Sequence, residues 1–279
     1  MRASSQKGTP CMRPVAVVTG ATGGIGKEIV GLLIADGYQV HALTRRPEEL
    51  HTELPGHGEF LVPLSCDLML PDALQQAADT LVEQGRPIQA LIHCAGSIHP
   101  EAAGSIRKEH LETQMMINLT APMLLTSKLV PLMHKGSHIV FVNSMAGILP
   151  LRGNSVYTAT KFGLRGFARS VSLDLQSRGV RVSSIFPGAV DTPMLMKEME
   201  DGGSALNFVS TPIPAHDLAK LIVQTCTGRG GEFFRPRIDG AFSHACLMMP
   251  WLLRLTLPIL QMVGTQGQRR FLARRSKNI

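Results

Sequence analysis

Ser144, Tyr157 and Lys161 are the residues of this chain whose types and spacing could do chemistry together. Tyr157 and Lys161 stand four apart in a segment of helical pattern, so they share one face. A phenol with a pKa of about 10 is a poor acid–base group at neutral pH. A nearby ammonium favours the phenolate and lowers that pKa. Tyrosine can then give a proton to a carbonyl oxygen or take one from an alcohol. Ser144 follows a strand-like run and could hold the same oxygen by a hydrogen bond. Asn118, inside a long apolar helical run, could interrupt that helix and hold a water in a proton chain. The Tyr-x-x-x-Lys spacing alone also describes an ordinary surface pair. It gains weight from the serine at a strand end and from a glycine turn far upstream.

That turn is Gly20-Ala-Thr22-Gly23-Gly24-Ile25-Gly26. Glycines at 20, 24 and 26 let the backbone bend sharply and approach a pyrophosphate, which the following helix N-terminus then faces with unpaired N–H groups. A glycine string is a weak sign alone. Here a strand precedes it and a helix follows, as the motif requires. At the end of the second strand-like run stand Arg45 and Arg46, where folds preferring NAD place an acid for the ribose 2′-hydroxyl. Two guanidinium groups suit a 2′-phosphate, so the cofactor expected is NADP(H). Cys66, Asp67 and Leu68 close the third strand, and Asp67 could accept from an adenine amino group or cap the next helix. Ala95 and Gly96 close the fourth, small enough for backbone to pass close to a cofactor.

The elements that must position these groups alternate. Strands are predicted at 15–19, 39–43, 60–64, 90–93, 138–143, 180–186 and 232–234. Helices are predicted at 25–36, 71–84, 111–133 with Pro122 as a kink, 156–177 and 215–227. Such alternation predicts an α/β fold: a Rossmann-like, doubly wound parallel sheet with its ligands at the carboxyl ends of the strands. One domain, residues 15–240, is expected, with a lid at about 193–212. A flexible arm at 1–14 and an apolar, basic extension at 241–279 flank it.

Composition narrows the function. The chain has 279 residues, 44% hydrophobic and 18% charged, enough for a large core and incompatible with global disorder. Aromatic residues are scarce, so a base-stacking nucleic-acid platform is not expected. The net charge of +7 sits in the two ends, and the body between them is slightly acidic. Five cysteines without a Cys-x-x-Cys pair argue against a disulfide framework or a thiolate zinc site. The ten histidines are scattered, so no metal is expected. A reducing, cytoplasmic setting fits, and no secretory signal is visible.

Taken together, the motifs resemble the short-chain dehydrogenases/reductases in their single-domain form. The match runs through Thr19-Gly20-x-x-x-Gly24-Ile25-Gly26, Asp67, Ala95-Gly96, Asn118, Ser144, Tyr157-x-x-x-Lys161, Pro187-Gly188 and Thr192. The resemblance implies Tyr157 as general acid/base and Lys161 as the group that lowers its pKa and binds the nicotinamide ribose. It also implies Ser144 on the substrate oxygen and Asn118 completing a proton relay. Pro187, Gly188, Val190 and Thr192 would hold the nicotinamide end. A homodimer or homotetramer is implied as well. His93-Cys94 stands where the family often has two asparagines, which touches a local hydrogen bond and not the chemistry.

Substrate identity lies in the loops. Met145 and Leu149 after Ser144, and Met194 after Thr192, suit an apolar ketone or alcohol, steroid-like or lipid-like. A 3-oxoacyl thioester is the alternative, and it would call for a basic patch at the pocket entrance. A cofactor-binding sensor without turnover is the alternative of another class. Residues 246–263 are strongly apolar, but Pro250 and Pro258 are expected to break them and Arg254 sits among them. An interfacial segment making peripheral membrane contact is expected ahead of a spanning helix. A cap over the core or a subunit contact are the plainer readings.

Overall fold

The computed structural model describes residues 13–276. The first strand, β1 (Val15–Thr19), is wholly buried, and its side chains alternate between two cores. Ala16 and Val18 face one side, Val15 and Val17 the other. The strand leads through the glycine turn into α1 (Gly24–Ala35) and then β2 (Gln39–Thr44). A short helix, α2 (Pro47–Glu53), which the sequence reading did not anticipate, opens on Pro47. Then come β3 (Leu61–Ser65), α3 (Pro71–Gln84) and β4 (Ile88–His93). The α3 bounds match expectation because local signals set them: Pro71 opens it and Gly85, at φ 61°, closes it.

The expected helix at 111–133 starts earlier and is divided. α4 (Lys108–Met115) runs into one π-helical turn, Met116–Thr120, and then α5 (Ala121–Leu129). Pro122 has no amide hydrogen for the Asn118 carbonyl four residues before it. The wide turn lies just before Pro122 and closes with the Ala121 amide donating to the Met116 carbonyl; Asn118 sits inside it. After β5 (His138–Val142) comes the long α6 (Ser155–Asp174), then β6 (Arg181–Pro187). The chain continues through β7 (Val190–Asp191), α7 (Pro193–Glu200), β8 (Ile213–Pro214), α8 (Ala215–Thr227) and β9 (Gly231–Arg235).

The strands form one seven-stranded sheet in the order β3-β2-β1-β4-β5-β6-β9, with every neighbouring pair parallel. Helices α1 and α8 cover one face; α3, α5 and α6 cover the other. This is the doubly wound fold the alternation predicts. The order reverses between β1 and β4, where Thr19 pairs with His93, and a crevice opens beyond their carboxyl ends. The small β7–β8 pair ties together the two ends of the segment expected as a lid.

Two long helices follow: α9 (Arg237–Met248) and α10 (Pro250–Arg275). Asp239 and Gly240, expected at the domain's end, lie in the first turns of α9. The break expected at Pro250 is present, since α9 ends at Met248 and Met249 leaves the helical conformation; the break expected at Pro258 does not occur. Pro250 opens α10 at the position where a missing N–H costs nothing. Pro258 lies on the exposed side, where water can serve the carbonyl that loses its donor. Of the N-terminal arm, residues 1–12 lie outside the described residues. Arg13 rests its guanidinium 3.7 Å over the Phe60 ring.

Candidate active site

Two adjoining cavities open at the carboxyl edge of the sheet. The first, of about 360 Å³, is lined by Gly20, Thr22, Gly23, Gly24, Ile25 and Gly26, by Arg45 and Arg46, by Cys66, Asp67 and Leu68, and by Ala95, Gly96 and Thr192. The turn accepts only glycine where it must be tight. Gly20 has φ +69°, and a Cβ on Gly26 would stand 2.0 Å from the Gly20 carbonyl oxygen. The Thr19 hydroxyl oxygen accepts from the Cys94 and Ala95 amides, both at 3.2 Å, and so ties the β4 end to the glycine turn. Asp67 uses Oδ1 to accept from the Met69 amide at 2.9 Å, a local turn cap. Arg46 pairs with Glu49 at 2.7 Å, whereas Arg45 makes no ion pair among the described residues. A phosphate-sized approach to backbone, a helix N-terminus behind it and exposed guanidinium groups at the β2 end fit a dinucleotide.

The second cavity, of about 400 Å³, shares Ile25, Cys94, Ala95, Gly96, Thr192 and Met194 with the first. It contains Ser144, Met145, Leu149, Tyr157 and Lys161, together with Pro187, Gly188 and Val190. The expected substrate residues therefore share one cavity. Pro187, Gly188 and Val190 face that cavity and not the first.

Ser144 begins a tight turn after β5, and its Oγ accepts from the Ala146 amide at 3.1 Å. Asn143 clamps this end of β5 to α6: its Oδ1 accepts from the Ser144 amide at 2.9 Å, and its Nδ2 donates to the Lys161 carbonyl at 3.3 Å. Tyr157 and Lys161 lie one turn apart on α6. Lys161 Nζ donates to the Val142 carbonyl at 3.1 Å and lies 5.6 Å from the Tyr157 ring centre.

Asn118 lines neither cavity. It lies behind them, 1% exposed, with its side chain fully engaged. Its Oδ1 accepts from the Ser97 amide at 2.8 Å, and its Nδ2 donates to the Ser97 carbonyl and the Thr160 hydroxyl. The side chain thus braces the loop after β4 against α6. A water in a proton chain would have to use the backbone carbonyl that Pro122 cannot serve.

The electrostatics correct one expectation. Burial pushes the Tyr157 phenol above its ordinary value; the Ser144 hydroxyl pulls the other way, and the Glu198 carboxylate adds to the rise. Burial lowers the Lys161 ammonium to about 8, and Cys94 opposes that shift. The ammonium is not what sets the phenol here; desolvation is the larger effect. Tyr157 therefore holds its proton at neutral pH, the form needed to donate. Burial drives the Cys94 thiol up to about 12, which disfavours it as a nucleophile.

Sequence reasoning missed two groups. Asn143 reads as a strand residue, and only the fold shows its clamp. Glu198, on α7, is 7% exposed and lines the second cavity, with Oε1 accepting from Asn207 at 2.8 Å and Asn154 at 3.4 Å. Burial raises its carboxyl. An acid among the methionines of Met194-Leu-Met-Lys-Glu198-Met was the available signal. Ile238 and Phe242 from α9 and Leu260 from α10 also wall this cavity. Among the described residues, no three His, Cys, Asp or Glu side chains converge on a metal-sized site.

The profile of the family described as short chain dehydrogenase matches residues 14–203. Sulfoacetaldehyde reductase 2 of Chromohalobacter salexigens is 30% identical over 232 residues, covering 77% of this chain and 89% of that protein. An NADP-dependent 3-hydroxy acid dehydrogenase of Salmonella typhi is 32% identical over 179 residues, covering 63% and 72%. A solved short-chain dehydrogenase from Burkholderia cenocepacia, in complex with NADP, superposes with a TM-score of 0.71 at 24% identity, covering 79% of this chain and 95% of that one. That likeness speaks to the fold. The profile match and the relatives place this chain in the short-chain dehydrogenase family, whose members are oxidoreductases acting on alcohol and carbonyl groups with a nicotinamide cofactor.

Proposed function

We propose that the chain is an NADP(H)-dependent reductase of apolar ketones, which also runs in reverse on secondary alcohols. One observation carries the reading. The Ser144, Tyr157 and Lys161 group stands across a shared wall from a cleft whose β2 end bears Arg45 and Arg46 and no acid. Guanidinium groups at that place favour a 2′-phosphate, and the dehydrogenase relative named for NADP agrees with it.

The glycine turn, Asp67, Gly96 and Thr192 would hold the dinucleotide, with Arg45 and Arg46 at its 2′-phosphate. When bound, its nicotinamide supplies or accepts the hydride. The chain's own work is placement and proton transfer. Ser144 Oγ and the Tyr157 hydroxyl take the substrate oxygen between them. Tyr157 is protonated and gives its proton to that oxygen as negative charge develops there. Lys161, charged below a pH of about 8, steadies the phenolate left behind.

Met145, Leu149, Met194, Leu206, Phe242 and Leu260 make the cavity walls predominantly apolar, which supports a hydrophobic substrate. The thioester alternative calls for basic residues at the mouth. The charged residues lining the cavity are Lys161, already within the catalytic group, and the acids Glu198 and Asp239.

Tyr157→Phe tests the reading. It should leave NADPH binding within about threefold while removing reduction of apolar ketones by about a thousandfold or more. A variant that keeps its turnover would show that the proton comes from elsewhere and that this assignment is wrong.

A further inference from the structure

Helix α10 turns two unlike faces outward and inward. Its inner face lies backbone to backbone on the segment before β8: a Cβ on Gly264 would meet the Ala205 carbonyl oxygen at 2.2 Å, and one on Gly267 the Phe208 oxygen at 2.0 Å. Leu260, on that side, reaches the substrate cavity. The outer face carries Trp251, Leu255, Ile259 and Met262 at helical spacing, each 58–68% exposed. Met248, at the end of α9, extends the patch at 81% exposure. Further along the same line come Arg269 and Arg270, both exposed. Residues 241–279 contain no Asp or Glu.

We infer that this face docks on an anionic lipid bilayer. The apolar first half of α10 lies in the interfacial plane, and the arginines of the second half meet lipid phosphates. Several features select this occupant. Five large apolar side chains, each more than half exposed, lie along one line of the C-terminal helices, and such groupings mark interaction surfaces. A tryptophan beside leucine and isoleucine is the composition of a headgroup boundary. Arg254, Arg269, Arg270 and Arg274 make no ion pair among the described residues. A second copy's α10 would bring no carboxylate to meet them, whereas lipid phosphates would. The same arginines argue against a helix that crosses the bilayer. Ile238 lines the substrate cavity and is 75% exposed, so the cavity reaches the surface within the C-terminal helices. The docked enzyme takes its ketone from the lipid phase, a statement about substrate source that rests on the function proposed above.

Trp251 is the chain's single tryptophan, so its fluorescence reports this helix alone. The full chain is titrated with vesicles of mixed phosphatidylglycerol and phosphatidylcholine, and with phosphatidylcholine alone. The expected result is a blue shift and co-sedimentation with the anionic vesicles only. Arg269→Gln with Arg270→Gln should weaken partitioning about 25-fold, about fivefold for each charge. Leu255→Glu with Ile259→Glu should abolish the blue shift while leaving the far-ultraviolet dichroism unchanged; neither residue lines the cavity. Unshifted emission with protein left in the supernatant overturns the inference, as does equal binding to neutral vesicles. So does a fall in solution mass on Leu255→Glu without vesicle binding, which would assign the face to a second copy. Capture of an acidic carrier protein without vesicle binding would overturn it too. Binding is read without turnover, so this result and the test of Tyr157 fail separately.

Discussion

Three histidines sit in the sheet where a charge cannot be solvated, and they make the fold acid-sensitive by a calculable amount. His41 on β2, His93 on β4 and His138 on β5 are each 3% exposed or less. Burial lowers His41 to about 4, with the Arg86 guanidinium pushing the same way. Burial alone lowers His93 to about 3. Burial, then Arg181, lowers His138 to about 4. In the unfolded chain each titrates near its ordinary value of 6.5. Between these values the unfolded state binds more protons, so stability is full above a pH of about 6.5 and falls as pH drops toward the folded values. Going from a pH of about 7.5 to about 5.5, each histidine removes about 1.4 kcal/mol, so the three remove about 4 kcal/mol. That is a large share of the roughly 5–15 kcal/mol of an ordinary domain. Urea unfolding followed by far-ultraviolet dichroism at both pH values measures it. With an m-value of about 3 kcal/mol per molar, the midpoint should fall by about 1.3 M. His41→Leu sharpens the test, because neither His41 ring nitrogen has a hydrogen-bond partner among the described residues. That variant should fold at neutral pH and lose about a third of the acid dependence. Midpoints that do not move between the two pH values would refute the argument.

Arg45→Ala should raise the KM for NADPH about 10- to 100-fold, the loss of one charge-assisted bond, and change that for NADH little. Arg46→Ala should do less, since Glu49 already holds that guanidinium; equal losses for both cofactors would remove the case for NADP. Gly267→Ala forces a Cβ against the Phe208 carbonyl and should cost about 1–3 kcal/mol. Its signature is a raised KM for apolar ketones with cofactor affinity untouched, and an unaltered ketone KM would count against α10 as a cavity wall. The kcat/KM for reduction should fall as pH rises through about 8, where Lys161 loses its charge. A rate that holds to well above that pH would show that the ammonium is not needed or is not depressed.

The parts of the molecule legible in the sequence are those governed by local rules. Helices α3 and α8 begin and end where the reading placed them, since prolines and glycines punctuate the hydrophobic period. The glycine turn, Arg45, Tyr157 and Lys161 were legible for the same reason: a short spacing carries their geometry. Pro258 misled because the rule against proline in helices weakens on a wet face. The wide turn at Met116–Thr120 has no sequence signal beyond the nearby Pro122, and the partners of Asn118 inside it, Ser97 and Thr160, meet it only in the folded chain. Burial of the Tyr157 phenol was beyond reach, because desolvation depends on what α7, α9 and α10 bring over it. Glu198 was missed on the same ground, as its partners Asn154 and Asn207 converge only in three dimensions.

Because α9 and α10 form the outer wall of the substrate cavity, the two halves of the site are completed at different moments of synthesis. The glycine turn, Arg45 and Asp67 leave the ribosome first. Ile238, Phe242 and Leu260 emerge well after them. A nascent chain can therefore shape a nucleotide cleft well before it can enclose a ketone, and a truncated product would keep the first capacity without the second.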